Sequence, residues 1–185
     1  LESIQQNSSG GGFLRPNANH ILLNNDEVPL EGIQQYLLKV DEKFKDDVLM
    51  DVFGILSMSQ TIIFTNSKKC CENVKEKLTE DKFPCEMLKG DQTDDERKDI
   101  FKRFQNGDIR VLITTDVFSR GIDVQGVSYV INYELPREPE TYIQRIGRAG
   151  RFGRKGVAIN FVSNEYDKER LKQIELKYPI KIEEM

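Results

Sequence analysis

Residues 144–156 read QRIGRAGRFGRKG, with arginines at 145, 148, 151 and 154 and glycines at 147, 150, 153 and 156. Both series keep a period of three, which matches neither the helix period nor the strand period. A guanidinium is a permanent cation with a fork of N–H donors, so four of them this close together predict a phosphate partner. Three plainer readings fail on the surroundings. A disordered RGG-like RNA-binding tract would not be flanked by Tyr142-Ile143 and by VAINFV (157–162), which belong in a core. A collagen-like repeat would carry proline and run beyond four units. On a solvated helix a period of three would wrap the charges around the axis, and each glycine would cost about 1 kcal/mol. The spacing therefore predicts a helix from Glu140 to about Gly147 that enters a Gly-rich loop, from which the arginines point separately.

Three further stretches mix groups that bind phosphate or sugar. VLITT is followed by Asp116 and then by Arg120-Gly121-Ile122-Asp123. A carboxylate there could hold two ribose hydroxyls, and Thr115 with backbone N–H groups could hold a phosphate; an Asp–Arg pair satisfying itself is the structural alternative. After TIIF comes TNSKK (65–69), where Asn66 or Ser67 caps a helix over 70–78 beside two lysines. After CEML comes KGDQTDDER (89–97), where Gln92 or Thr93 opens a helix with an acidic first turn and Gly90 permits close backbone approach. Other chemistry is excluded. His20 is the sole histidine, and Cys70, Cys71 and Cys85 are odd in number and lack a metal-ligand spacing, so free thiols and no protein metal site are expected.

Something must hold these stretches in place. Apolar runs over 33–40, 61–65, 84–88, 110–115, 128–133 and 157–162 read as strands. Between them, apolar residues recur at helical steps: Val48, Val52, Ile55 and Leu56; Val74 and Leu78; Ile100, Phe101 and Phe104; Leu171, Ile174 and Leu176. Alternation of near-continuous apolar strands with helices predicts a three-layer α/β domain, its mostly parallel sheet flanked by helices on both faces. In such sheets the working loops follow the C-terminal ends of the strands, and the stretches above, the arginine segment included, are expected there. The first twelve of the 185 residues, LESIQQNSSGGG, read as a flexible linker or an expression remnant, and the domain is expected over 13–185. No secretory leader and no membrane-spanning helix are predicted, since no run of eighteen apolar residues exists. The net charge of −4 speaks against a bulk polyanion binder, whereas residues 137–155 carry six basic and two acidic side chains.

In their order, TIIFTNS, LKGDQTDDER, VLITTDVFSRGID and YIQRIGRAGRFGRKG resemble motif IV, the HGD…QxxR segment, motif V and motif VI of the DEAD-box RNA helicases. The resemblance covers residues 13–185 and identifies a C-terminal RecA-like domain, nearest to the translation initiation factor 4A type and its nuclear exon-junction relative. It departs where Gln144 and Lys89 stand for family histidines, Glu134 for an aspartate and Ser119 for a common alanine. The resemblance implies that Arg148 and Arg151 act as arginine fingers on ATP at an interdomain cleft. Asp123 would hold the ribose, with Gly121 beside the nucleotide. Arg120 and Arg145 would brace motifs V and VI against each other. Thr65, Asn66, Gly90, Asp91, Thr115 and Gly121 would line a sequence-independent RNA backbone track, discriminating against DNA through the 2′-OH.

The chain contains no GxxxxGK[ST] phosphate loop and no Asp-Glu-Ala-Asp run, so Mg²⁺ and the water-orienting residue are expected on an N-terminal RecA-like domain. The domain alone is expected to be inactive and monomeric, in the cytoplasm or alternatively the nucleus. Scaffold proteins of the translation or exon-junction machinery are expected partners. The competing function is a non-catalytic RecA-like module that docks such scaffolds, and a third is a DNA-unwinding relative.

Overall fold

The computed structural model describes residues 30–56, 59–116, 126–150 and 155–185. Strands and helices alternate along them: β1 (Ile33–Lys39), α1 (Lys45–Ile55), β2 (Thr61–Phe64), α2 (Lys68–Glu80), β3 (Cys85–Met87), α3 (Asp94–Asn106), β4 (Val111–Thr114), β5 (Tyr129–Asn132), α4 (Pro139–Ile146), β6 (Gly156–Val162), α5 (Glu165–Lys177) and β7 (Glu183–Glu184). The sheet runs β3-β4-β2-β5-β6-β1-β7, and every pairing is parallel. Parallel neighbours need long crossovers, which is why a helix lies between most strands and both sheet faces are covered. The fold is the expected three-layer α/β domain. Each predicted apolar run overlaps a strand. β7 was not foreseen, because Glu183-Glu184 has no strand pattern and pairs only by lying along Tyr36 and Leu37 of β1.

Strand residues alternate between two cores. Ile63, Ile113, Ile131 and Phe161 pack under α1 and α2 with Leu49, Val52, Phe53, Val74 and Leu78. Ile62, Phe64, Leu112, Val130 and Ala158 pack under α3, α4 and α5 with Ile100, Phe104, Tyr142, Ile146, Leu171 and Ile174. β2 and β4 are buried along their whole length, which explains their unbroken apolar sequence.

Helix starts follow the capping residues. Ser67 accepts from the Cys70 N–H, Thr93 and Glu96 form a capping box, and Asn164 accepts from the Asp167 N–H. α3 stops at Gly107, whose φ of 83° is the left-handed cap conformation.

Two residues of the expected helical stripes face water. Ile55 is 77% exposed and Leu176 is 87% exposed. The α1 stripe runs through Lys45, Leu49, Val52 and Phe53, so Ile55 at the last position has turned away from it. Leu176 lies two residues past Ile174, about 200° round the axis from the buried α5 face. Leu49→Ala is therefore expected to cost roughly 2–5 kcal/mol in urea denaturation, and Leu176→Ala less than about 0.5 kcal/mol. Equal losses would contradict this assignment of faces.

Candidate functional site

Arg145 sits one residue before the end of α4 and is wholly buried. A crossover helix returns across the sheet from the exit edge of its strand, and helical side chains lean toward the helix N-terminus. The long Arg145 side chain thus reaches back to the C-terminal ends of β2, β4 and β5. Its Nε and Nη2 donate to the two carboxylate oxygens of Asp116, at 2.5 and 2.8 Å. Nη1 donates to Asn132 Oδ1 at 3.1 Å and to the Glu134 carbonyl at 2.7 Å, and Nη2 also donates to Asn66 Oδ1 at 2.9 Å. These five bonds use all five guanidinium donors. The Phe64 ring lies 5.1 Å from the guanidinium carbon. A cation in a core is costly unless every donor is met, and here every donor is.

The backbone of Arg148 is pinned on both sides. Its N–H donates to the Arg145 carbonyl, and its carbonyl accepts from Gly126 and Val127. Gly150 donates to the Val127 carbonyl and has a φ of 61°, which favours glycine. A Cβ on Gly156 would meet Gly150 N at 2.5 Å and Ala149 C at 2.6 Å, so only glycine admits this contact. Gly126 and Val127 precede β5. The Arg148 segment is therefore anchored at the entry of that strand rather than beyond a strand's exit, contrary to the sequence expectation. The reason is the return path of α4, which sets Arg148 down at the opposite edge from the guanidinium of Arg145. Arg148 is half-buried.

The exit edge brings together the other predicted residues. Loops after β3, β4 and β2, three adjacent strands, carry Gly90 with Asp91, Thr115, and Asn66. Gly90 and Asp91 are exposed; the Gly90 carbonyl accepts from Arg97 Nη2 and Asp91 pairs with Lys68 at 2.9 Å. That ion pair holds the Asp91 carboxyl below and the Lys68 ammonium above their usual ranges, the shared hydrogen bond being the main cause. Asn66 spends its side chain on Arg145 and on the Leu135 carbonyl, while its N–H donates to Glu134 Oε2 at 2.6 Å. Thr65 is a correction. It is 0% exposed, with its hydroxyl between Cys71 Sγ and the Ser67 carbonyl, so it supports the loop from beneath and offers no surface. Arg120, Gly121, Asp123 and Arg151 lie outside the described residues.

Residue-by-residue reading of the sequence missed Asn132, Asn160, Tyr142 and Gln35, all buried polar side chains behind Arg145. A signal existed: an asparagine inside VINY and another inside VAINFV are polar residues in strands otherwise built for a core.

An all-parallel sheet whose exit loops carry polar side chains gathered on a buried arginine of a crossover helix defines a RecA-like α/β domain. The sequence profile of the helicase conserved C-terminal domain matches residues 45–153. Eukaryotic initiation factor 4A of Caenorhabditis elegans is 49% identical over 174 residues, 94% of this chain and 43% of that protein. ATP-dependent RNA helicase FAL1 of Eremothecium gossypii is 51% identical over 166 residues, 89% of this chain and 42% of that protein. Among solved structures, S. cerevisiae Dbp5 bound to RNA and ADP BeF3 superposes with a TM-score of 0.81 at 39% identity, covering 92% of this chain and 46% of that one. The chain belongs to the helicase conserved C-terminal domain family, as a RecA-like C-terminal domain of the DEAD-box, initiation factor 4A-like branch. It spans less than half the length of these curated relatives.

Two outcomes check this geometry. Arg145→Lys keeps the charge but supplies three donors without the planar fork, so acceptors are orphaned and stability in urea falls by on the order of 2–4 kcal/mol. Burial, followed by the neighbouring Glu134 carboxylate, pushes the Cys70 thiol up to about 12. A folded value above the ordinary 9.0 means stability is fully present below pH 9 and is lost as pH rises towards 12. At pH 8 the folded thiol is expected to alkylate with iodoacetamide at least about a hundredfold more slowly than in the unfolded chain, measured by mass spectrometry.

Proposed function

We propose that the protein is the C-terminal half of an ATP-dependent RNA helicase whose ATP binds between this domain and an N-terminal RecA-like domain. The observation that carries the reading is a likeness covering nine-tenths of the chain to Dbp5 bound to RNA and ADP BeF3, joined to 49% identity with an initiation factor 4A. Arg148 and Arg151 are the arginine fingers. The geometry around Arg148 suits such a role, because its side chain springs from a backbone held at both its N–H and its carbonyl, and a cation can be presented from a fixed point. Such a cation stabilises negative charge that grows on the transferring phosphoryl oxygens, worth roughly 10³–10⁵ in rate in other phosphoryl-transfer enzymes. Asp123 holds the ribose hydroxyls, Gly121 keeps the backbone close, and Arg120 with Arg145 ties motif V to motif VI. Mg²⁺ and the residue that orients the attacking water belong to the N-terminal domain.

RNA runs along the exit edge past Asn66, Gly90, Asp91, Thr115 and Gly121, met through phosphate and 2′-OH and so without sequence preference. Thr65 acts there only by holding the loop. The process is translation initiation or mRNA processing, in cytoplasm or nucleus, with scaffold proteins of those machineries as partners.

Mixing the chain with its N-terminal half is expected to restore RNA-stimulated ATPase, with RNA stimulating more than DNA and neither half active alone. Arg148→Ala or Arg151→Ala should lower kcat by roughly 10³ or more while RNA binding persists. Wild-type turnover in both variants would sink the arginine-finger assignment.

A further inference from the structure

Behind Arg145 a line of buried side chains crosses the sheet. Arg145 Nη1 donates to Asn132 Oδ1 at 3.1 Å, and Asn132 Nδ2 donates to Asn160 Oδ1 at 2.8 Å. Asn160 Nδ2 donates to the Tyr142 hydroxyl at 3.1 Å and to the Tyr36 carbonyl at 2.9 Å. The Tyr142 hydroxyl donates to Gln35 Oε1 at 2.9 Å. Gln35 is 6% exposed and the other four side chains are 0% exposed. Asn132 and Asn160 face each other in register on β5 and β6, one pair beyond Ile131 and Ile159, with Val130 and Ala158 next along. An apolar pair at this position would complete the core as its neighbours do, so packing alone does not account for two buried amides.

The direction of the line is forced. Arginine only donates, so the oxygen of Asn132 must face it, the amide of Asn132 must face Asn160, and so on to Gln35. Burial pushes the Tyr142 hydroxyl well above its ordinary range, which keeps it a donor at every working pH. The line also closes on itself. Tyr142 and Arg145 stand three residues apart on one face of α4, the first bound to β6 and β1, the second to the ends of β5, β4 and β2. Held at both points, α4 cannot turn about its axis without breaking bonds that have no water to replace them. Arg148 follows three residues beyond Arg145.

We propose that Gln35, Tyr142, Asn160 and Asn132 are positioning residues for the phosphoryl-transfer step, setting the rotation of α4 and with it the point from which Arg148 reaches the nucleotide. The proposal rests on the arginine-finger reading given above. In the full-length helicase, Tyr142→Phe is expected to lower kcat of the RNA-stimulated ATPase about tenfold with KM for ATP within about twofold, since small misplacements of a catalytic group cost rate rather than ground-state binding. Gln35→Leu, at the far end, should give a smaller loss in the same parameter. Val74→Ala, in the core on the opposite face, is the control and should lower Tm while leaving kcat unchanged. If Tyr142→Phe and Gln35→Leu lower Tm yet keep kcat within twofold of wild type, the line is packing and the proposal is overturned. The ¹⁵N resonance of Arg145 Nε in the same protein separates the two readings. Should Arg148→Ala keep wild-type turnover, the arginine-finger reading fails by itself. An Arg145 signal that Tyr142→Phe does not shift would overturn the positioning line regardless of activity.

Discussion

The guanidinium of Arg145 is the point through which the loops of this domain are tied together. β2, β4 and β5 are neighbours in the sheet, and Asn66, Asp116 and residues 132–134 lie where their ladders end, so side chains must tie the exits together. One planar cation with five donors meets an oxygen from each. A buried charge would ordinarily be a liability, since several kcal/mol of hydration are lost per ion. Here the Asp116 carboxylate balances the charge, three neutral oxygens take the remaining donors, and Phe64 covers a face. Lysine could not replace it, because a point charge with three donors has no matching plane.

The same residue explains how one short motif serves two edges of the sheet. α4 is only eight residues long, about 12 Å, yet it leads from the exit of β5 to the bridge at Val127 before β5. A side chain leaning backward from its last turn returns to the exit edge, while the next turn of chain continues to the entry edge. The glycines permit this sharp handover at two places, Gly150 by its positive φ and Gly156 by having no Cβ against Ala149 and Gly150. Under the proposed function, the exit edge takes RNA and the Arg148 segment takes ATP, so Arg145 and the buried line behind it join the two ligands' surfaces through one rigid body.

Charge is distributed to match. Several ion pairs are exposed and close at short sequence range, such as Lys168–Glu165 and Lys98–Asp95, and contribute little individually. Lys75 and Arg103 both approach Glu86 on β3, which lies at one end of the sheet. An edge strand flanked by charges resists pairing with another chain. Lys68–Asp91 differs in place rather than strength, since it links the start of α2 to the loop that also carries Gly90.

Much of this was legible in the chain itself. Apolar runs such as TIIF and VLIT, with helical spacing between them, determine a parallel α/β sheet because strands covered on both faces must be apolar throughout. Ser67 and Thr93 announce their helices by chemistry local to a few residues. What the sequence could not settle depends on distance along the chain. Arg145 meets Asp116 29 residues away and Asn66 79 away, and Asn160 meets Tyr36 124 away. Thr65 reads as a ligand residue and is buried, while Leu176 reads as core and is exposed, because burial is set by what packs against a residue and not by its type. Patterns of period two and 3.6 are properties of neighbours in sequence, and they determined the layers. Which polar group meets which is a property of neighbours in space, and only the assembled sheet, with α4 laid across it, decided that.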